Sequence, residues 1–340
     1  MKLMRTEDAV GQVLCHDITQ IIKGVTKDAV FRKGHIITEE DIPVLLSVGK
    51  DHIYIWENNE NMLHENDAAK ILYDMCANKH MTPSEIKEGK IELIAECDGL
   101  LKVDTERLNA VNALGEMMIA CRHGNFPVKK GDKIAGTRII PLVIEKEKME
   151  RAKKAAGEKP IFELISFKKM KAAIVNTGNE VFYGRIKDTF TPVIIEKLKE
   201  YGAEVVGHVV SDDNHEHITA AIQKFLDEGV DMVLCTGGMS VDPDDRTPLA
   251  IKNTGAEIVT YGAPVLPGAM FLLSYYGEKK RPVIGLPGCV MYAKRTIFDL
   301  VLPRIVAGEI LKKADIDTLG EGGLCLNCPV CTFPNCGFGK

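Results

Sequence analysis

Four short apolar stretches, at 172–177, 204–210, 231–235 and 282–286, each run into a turn of small, hydroxylated or acidic residues. The segments between them carry helical spacing. Ile218, Ala221, Ile222, Phe225 and Leu226 fall on one stripe, and Gly229 is placed to end that helix. A second helix is expected over 192–201, with Thr191 as cap, Pro192 in the first position and Gly202 as the stop. A third is expected over 290–301, and 258–260 with 270–275 read as a β insertion. Strands and helices alternating through short connections predict an α/β fold, a three-layer sandwich around a mostly parallel sheet. The turns after parallel strands collect along one edge, where open α/β folds take up ligands.

The chemistry of those turns points to a phosphate. Thr177-Gly178-Asn179-Glu180, Thr236-Gly237-Gly238-Met239-Ser240 and Leu286-Pro287-Gly288 expose backbone N–H groups where no Cβ intervenes, and adjoining helix starts add a favourable dipole. Thr236, Ser240 and Thr247 add hydroxyls. Acids follow the same strands: Glu180, Asp212, Asp213, and Asp242 with Asp244 and Asp245. Asp212-Asp213 also suits a plain helix cap. Asp242-Pro243-Asp244-Asp245 is harder to explain that way, because three neighbouring carboxylates repel one another unless a cation joins them. Arg246 offers part of that charge.

The four motifs, Thr177-Gly178-Asn179-Glu180, Ser211-Asp212-Asp213, Thr236-Gly237-Gly238-Met239-Ser240-Val241 and Gly285-Leu286-Pro287-Gly288, resemble in order and spacing the molybdopterin-binding domain. That domain is shared by the molybdopterin molybdotransferase, molybdopterin adenylyltransferase and competence-damage-inducible families. The resemblance covers 171–307 and is fainter in 1–57, where Val10-Gly11-Gln12-Val13-Leu14 and Phe31-Arg32-Lys33-Gly34-His35 carry it. It implies a pterin dithiolene whose phosphate sits against Thr177, Gly178, Asp212, Thr236, Gly237, Gly238, Ser240, Thr247, Pro267, Gly268, Pro287 and Gly288. It also implies that Glu180, Asp213, Asp244 and Asp245 handle Mg²⁺ and molybdate. The activity implied is metal insertion in molybdenum cofactor biosynthesis. Two other readings stand beside it: a carrier that hands the cofactor to a molybdo- or tungsto-enzyme, and a nucleotide pyrophosphatase of the competence-damage-inducible type. The chain departs from the family where Asp242 replaces a glycine, where Pro-Gly-Lys-Pro becomes Pro267-Gly268-Ala269-Met270, and where Cys289-Val290 replaces Asn-Pro. A homo-oligomer is implied by analogy.

Around this domain, expected at 161–312, the chain divides into a small α/β unit at 1–57, a mixed accessory region and linker at 58–160, and a Cys-rich tail at 313–340, so that an α+β region precedes the parallel sheet. In the first unit 10–18 reads as a strand, 39–48 as a helix opened by Thr38 and Asp41, and 52–56 as a strand. In the second, helices are expected over 66–78 and 104–120, the latter with Val111, Leu114 and Met118 on one face. The Glu-, Lys- and Ala-rich run 145–159 reads as a solvated helix or linker. With a net charge of −5 and a pI near 6.0, the chain lacks the basic footprint of a nucleic-acid or acidic-membrane binder. Its apolar runs fall short of membrane-spanning length, and the cytoplasm is the expected location.

Six of the ten cysteines are scattered and most of them read as reduced core thiols; Cys325, Cys328, Cys331 and Cys336 crowd the last sixteen residues behind a Gly-rich lead-in. Four thiolates so spaced suit tetrahedral zinc or an iron–sulfur cluster, with a thiol tail that holds no metal as the third reading.

Overall fold

The computed structural model describes residues 2–22, 26–55, 60–240, 242–243 and 245–340. The chain forms two compact units, one of Met1–Ile94, Val103–Arg122 and Lys133–Glu163, the other of Ala95–Lys102, His123–Asp132 and Leu164–Lys340. No helix among the described residues is long and apolar enough to cross a membrane.

The first unit contains a four-stranded sheet in the order Met81–Pro83, Lys90–Ala95, Lys133–Ile139, Met117–Cys121, with helices Glu65–Cys76, Thr105–Asn112 and Lys146–Ala156. Three expectations are corrected in it. The stretch 10–18 is no strand: Gly11 turns the chain at φ +80°, Val13 and Leu14 make single bridges to Ile36 and Ile55, and pairing begins at Ile18. The helix expected over 104–120 stops at Asn112. Gly115 and Glu116 take positive φ, and the Asn112 side chain bonds both backbone groups of Ile119, so Met118 sits in a strand. The charged run 146–156 is not wholly solvated, because Met149, Ala152 and Ala156 bury one stripe of that helix. Trp56, expected to end a strand, lies outside the described residues.

The second unit holds the elements anticipated from the alternation: β1 (Lys171–Thr177), α1 (Phe190–Lys199), β2 (Glu204–Ser211), α2 (His215–Asp227), β3 (Met232–Thr236), α3 (Thr247–Asn253), β4 (Glu257–Tyr261), β5 (Leu272–Tyr276), β6 (Arg281–Leu286) and α4 (Ile297–Val306). The six strands form one mixed sheet in the order β2-β1-β3-β6-β5-β4. Pairs β1/β2, β1/β3 and β3/β6 are parallel; β4/β5 and β5/β6 are antiparallel. Ala172 and Ile174 of β1 join a core with Ile194 and Leu198 of α1, and with α4. Ala173 and Val175 join a different core with Ile218 and Ile222 of α2 and Ile251 of α3. Both faces of β1 are therefore covered, which is why it reads as an unbroken apolar run. Cys76 and Cys235 are core thiols as expected, and burial pushes Cys76 up to about 12.

Two helix starts differ from expectation. Helix α4 begins at Ile297, not at 290, because Thr296 and Asp299 form a capping box; Gly288–Met291 is a short 3₁₀ turn. Helix α1 begins at Phe190, and its cap is Asp188 instead of Thr191. The Asp188 carboxylate accepts the N–H groups of Phe190 (2.9 Å) and Thr191 (3.0 Å). Partial burial alone would raise the Asp188 pKa, but the hydroxyl of Thr191 and these N–H groups outweigh it and hold the carboxyl below its ordinary value. A lowered folded pKa contributes stability that is present above the unfolded value and lost as pH falls through the folded one. Denaturant unfolding across the acid limb is therefore expected to show less acid sensitivity in Asp188→Asn than in the wild type, while Asp188→Ala costs about 1 kcal/mol near neutrality.

Candidate ligand site at the carboxyl edge of the sheet

Because β1, β2, β3 and β6 run parallel, the segments after Thr177, Ser211, Thr236 and Leu286 emerge at one edge. Register places Thr177 beside Ser211, Asn176 beside Thr236, and Thr236 beside Leu286. The turns are fastened to each other there. Gly178 N–H donates to the Ser211 carbonyl (3.2 Å), and Asn179 N–H donates to the Asp213 carboxylate (3.0 Å). The Glu180 carboxylate folds back over Gly178, where an added Cβ would stand 2.8 Å from it. Glu180, Asp213 and the first glycine turn thus form one group.

A second group centres on Thr247. Its hydroxyl donates to the Gly237 carbonyl (2.9 Å) and lies 3.0 Å from the Thr177 hydroxyl, while its N–H donates to the Gly238 carbonyl at 3.2 Å. Gly237 and Gly238 have φ of +82° and +55°, the left-handed region that favours glycine. A Cβ on Gly237 would overlap the Thr177 carbonyl, and one on Gly238 would stand 2.9 Å from the Thr247 hydroxyl. The glycines are dictated by this close approach of two turns. On the opposite face of the same strands Thr236 donates to the Asn176 side chain (2.9 Å).

The acid-rich turn closes on itself. Ser240 N–H donates to the Asp245 carboxylate (2.8 Å), and Asp245 N–H donates to the Asp242 carbonyl (2.9 Å). Asp244 lies outside the described residues. Asp212 lies ahead of α2, 3.0 Å from the His217 ring and accepting from Asn214 N–H at 3.2 Å, but the cap expected of it falls to Asn214, whose side chain accepts from Glu216 N–H at 2.8 Å. Pro287 and Gly288 follow β6 at this edge. Pro267 and Gly268 are held to the start of α4 instead, where Ile297 N–H donates to the Pro267 carbonyl (3.2 Å).

Among the described residues no three His, Cys, Asp or Glu side chains are grouped as ligands of a single metal ion. Asp213 and Asp245 are taken up by backbone N–H groups. The sequence reading missed Asp188 and His208, which lie 3.2 Å apart with Thr191 between them, 2.9 Å from the ring of His208. The signal available was the Asp188-x-x-Thr191 spacing ahead of an apolar helix. It also missed Tyr261, whose hydroxyl donates to the Met239 carbonyl (3.0 Å) and ties β4 to the second glycine turn. A cavity of about 740 Å³ opens at the opposite, amino edge of the sheet beside Lys168, Asp231 and Arg281, far along the strands from these turns.

Residues 173–307 match the family model described as a probable molybdopterin binding domain. This segment belongs to the molybdopterin-binding domain family. A model for a domain of unknown function matches residues 3–57. The chain is 28% identical over 163 residues to a molybdopterin molybdenumtransferase of Synechococcus elongatus, covering 45% of this chain and 38% of that protein. It is 34% identical over 90 residues to a CinA-like protein of Mycobacterium avium, covering 26% of this chain and 21% of that one. The chain therefore spans well under half the length of these curated relatives. The molybdopterin biosynthesis enzyme MoaB of Thermus thermophilus is similar at 23% identity and a TM-score of 0.34, over 42% of this chain and 99% of that one.

Proposed function

We propose that the molybdopterin-binding domain binds molybdopterin or its adenylate by the phosphate end and acts as an enzyme of molybdenum cofactor assembly, at the step that places metal on the dithiolene. The observation that carries this reading is the knot of Thr177, Gly237, Gly238 and Thr247 at the carboxyl edge of parallel strands. The Thr177 and Thr247 hydroxyls are buried and bonded to each other, so they fasten the two glycine turns together, and this edge sits beside Glu180 and Asp213 on one side and Asp245 on the other. The fold carrying it is proposed as a three-layer sandwich whose parallel half supplies the site.

In this reading Thr177, Gly178, Gly237, Gly238 and Ser240 hold the phosphate, with Thr236, Pro287 and Gly288 shaping the same edge. Glu180, Asp213, Asp244 and Asp245 supply negative charge for Mg²⁺ and orient molybdate. Mg²⁺ keeps several waters and uses one or two carboxylates plus substrate phosphates, so one or two of these acids would suffice to hold it. A molybdo- or tungsto-enzyme would receive the product, and a homo-oligomer is the proposed assembly.

Asp244→Asn with Asp245→Asn is expected to leave pterin binding within a few-fold and to lower molybdate-dependent cofactor formation by about 10²–10³-fold. Unchanged formation by the double variant would exclude these acids from the chemistry. Similarity to a CinA-like protein keeps a second reading beside the first, the hydrolysis of a nucleotide pyrophosphate implied by the resemblance to the competence-damage-inducible family. Mg²⁺-dependent release of AMP from ADP-ribose by the purified chain, with no molybdate-dependent activity, would replace the first reading with this one.

A further inference from the structure

The C-terminal cysteines are built into the second unit. Leu266 N–H donates to the Gly323 carbonyl (2.8 Å), Cys325 N–H donates to the Leu266 carbonyl (2.8 Å), and Gly339 N–H donates to the Gly322 carbonyl (2.9 Å). Phe338 is buried in the core beneath. The middle of the segment is pinned as well: Lys294 Nζ donates to the Pro329 carbonyl (2.7 Å), and the Arg295 guanidinium lies 4.9 Å from the Phe333 ring centroid. Both ends and the middle are thus fixed, and the Gly-rich lead-in is an ordered crossing instead of a free linker.

Between these attachments lies a cavity of about 250 Å³ whose wall includes Cys325, Cys328, Cys331, Cys336, Lys294 and Arg295. All four cysteines are free thiols. The void is many times the ~30 Å³ of one water. Thiolates standing around a space of that size match a polynuclear centre, in which each sulfur binds a different metal corner. Lys294 Nζ in the wall is held by the Cys328 and Pro329 carbonyls and Arg295 by Glu200 and Asp299, and the aromatic rings of Phe333 and Phe338 line the same cavity.

We propose that Cys325, Cys328, Cys331 and Cys336 ligate a four-iron, four-sulfide cluster in this cavity. Cys325 and Cys336 pack against the core, whereas Cys328 and Cys331 are exposed, so the cluster meets solvent on one side. The test is iron, acid-labile sulfide and zinc analysis of the full chain, purified anaerobically without pterin and reconstituted with ferrous iron and sulfide. About four iron and four sulfide per chain are expected, with a paramagnetic signal on reduction. Cys328→Ser with Cys331→Ser, both at exposed positions, is expected to lower iron at least about tenfold while far-UV circular dichroism stays unchanged. One zinc per chain, no metal after reconstitution, or iron that survives the double substitution would each overturn the proposal. Because pterin plays no part in the measurement, its outcome is separate from that of the ligand reading above.

Discussion

Gly237→Ala is expected to weaken pterin binding by about a hundredfold. Gly237 stands at φ +82°, where an L side chain is strained, and its Cβ would overlap the Thr177 carbonyl oxygen, part of the neighbouring strand end. Backbone cannot swing aside as a flexible side chain can, so the two turns must separate. Strain of this kind costs about 1–3 kcal/mol, and each 1.4 kcal/mol is tenfold in affinity. Separation would also break the contacts of Thr247 with Gly237 and Thr177. Equilibrium pterin titration of wild type and variant measures the effect, with circular dichroism confirming that the sheet survives. Thr247→Val, which removes the hydroxyl but keeps the shape, is expected to show a smaller loss in the same titration.

The largest stability effect is expected at Asp299. Its carboxylate accepts from Lys197 Nζ at 2.7 and 2.9 Å, from Arg295 at 2.8 Å, and from Thr296 N–H at 2.7 Å, joining α1 to the start of α4. Lys197 and Asp299 are 7% and 2% exposed, so neither can turn to water if its partner is removed. Asp299→Ala would strand the Lys197 ammonium and delete the capping box together. Breaking a buried pair costs about 3–5 kcal/mol, and a lost cap adds about 1 kcal/mol. Urea denaturation should show a loss of that order, and Lys197→Met combined with Asp299→Leu should recover part of it, because replacing both charges removes the uncompensated ion. A single substitution within about 0.5 kcal/mol of wild type would mean that the pair is not buried in solution.

Much of the second unit was legible in its residues because two local rules agree there. Strands buried on both faces leave unbroken apolar runs such as 172–175, and α2 carries its stripe from Ile218 to Leu226. The glycine turns were legible as turns, but their glycines read as room for a phosphate, whereas positive φ and the close approach of a second turn require Gly237 and Gly238. What was misread depended on partners distant in sequence or on caps. The 104–120 segment has helical spacing throughout, yet Asn112 bonding Ile119 reverses the chain. Thr191 suits a cap, but Asp188, one helical turn earlier, takes the N–H groups. The cysteine spacing left zinc and an iron–sulfur cluster equally open; the cavity between those thiols is a tertiary feature that no spacing encodes. Asp212, Asp213 and Asp245 were recognised as acids after strands; Asp212 and Asp245 bond within their own turns, but the engagement of Asp213 by Asn179 N–H required the position of a neighbouring turn.

The most direct measurement is equilibrium binding of molybdopterin to the anaerobically purified chain, followed by pterin fluorescence. The convergence of the turns at Thr177, Gly237 and Thr247 predicts about one pterin per chain, displaced by excess inorganic pyrophosphate and largely lost in Gly237→Ala. Absence of binding, or binding that Gly237→Ala leaves untouched, would contradict a pterin phosphate seated on this edge of the sheet.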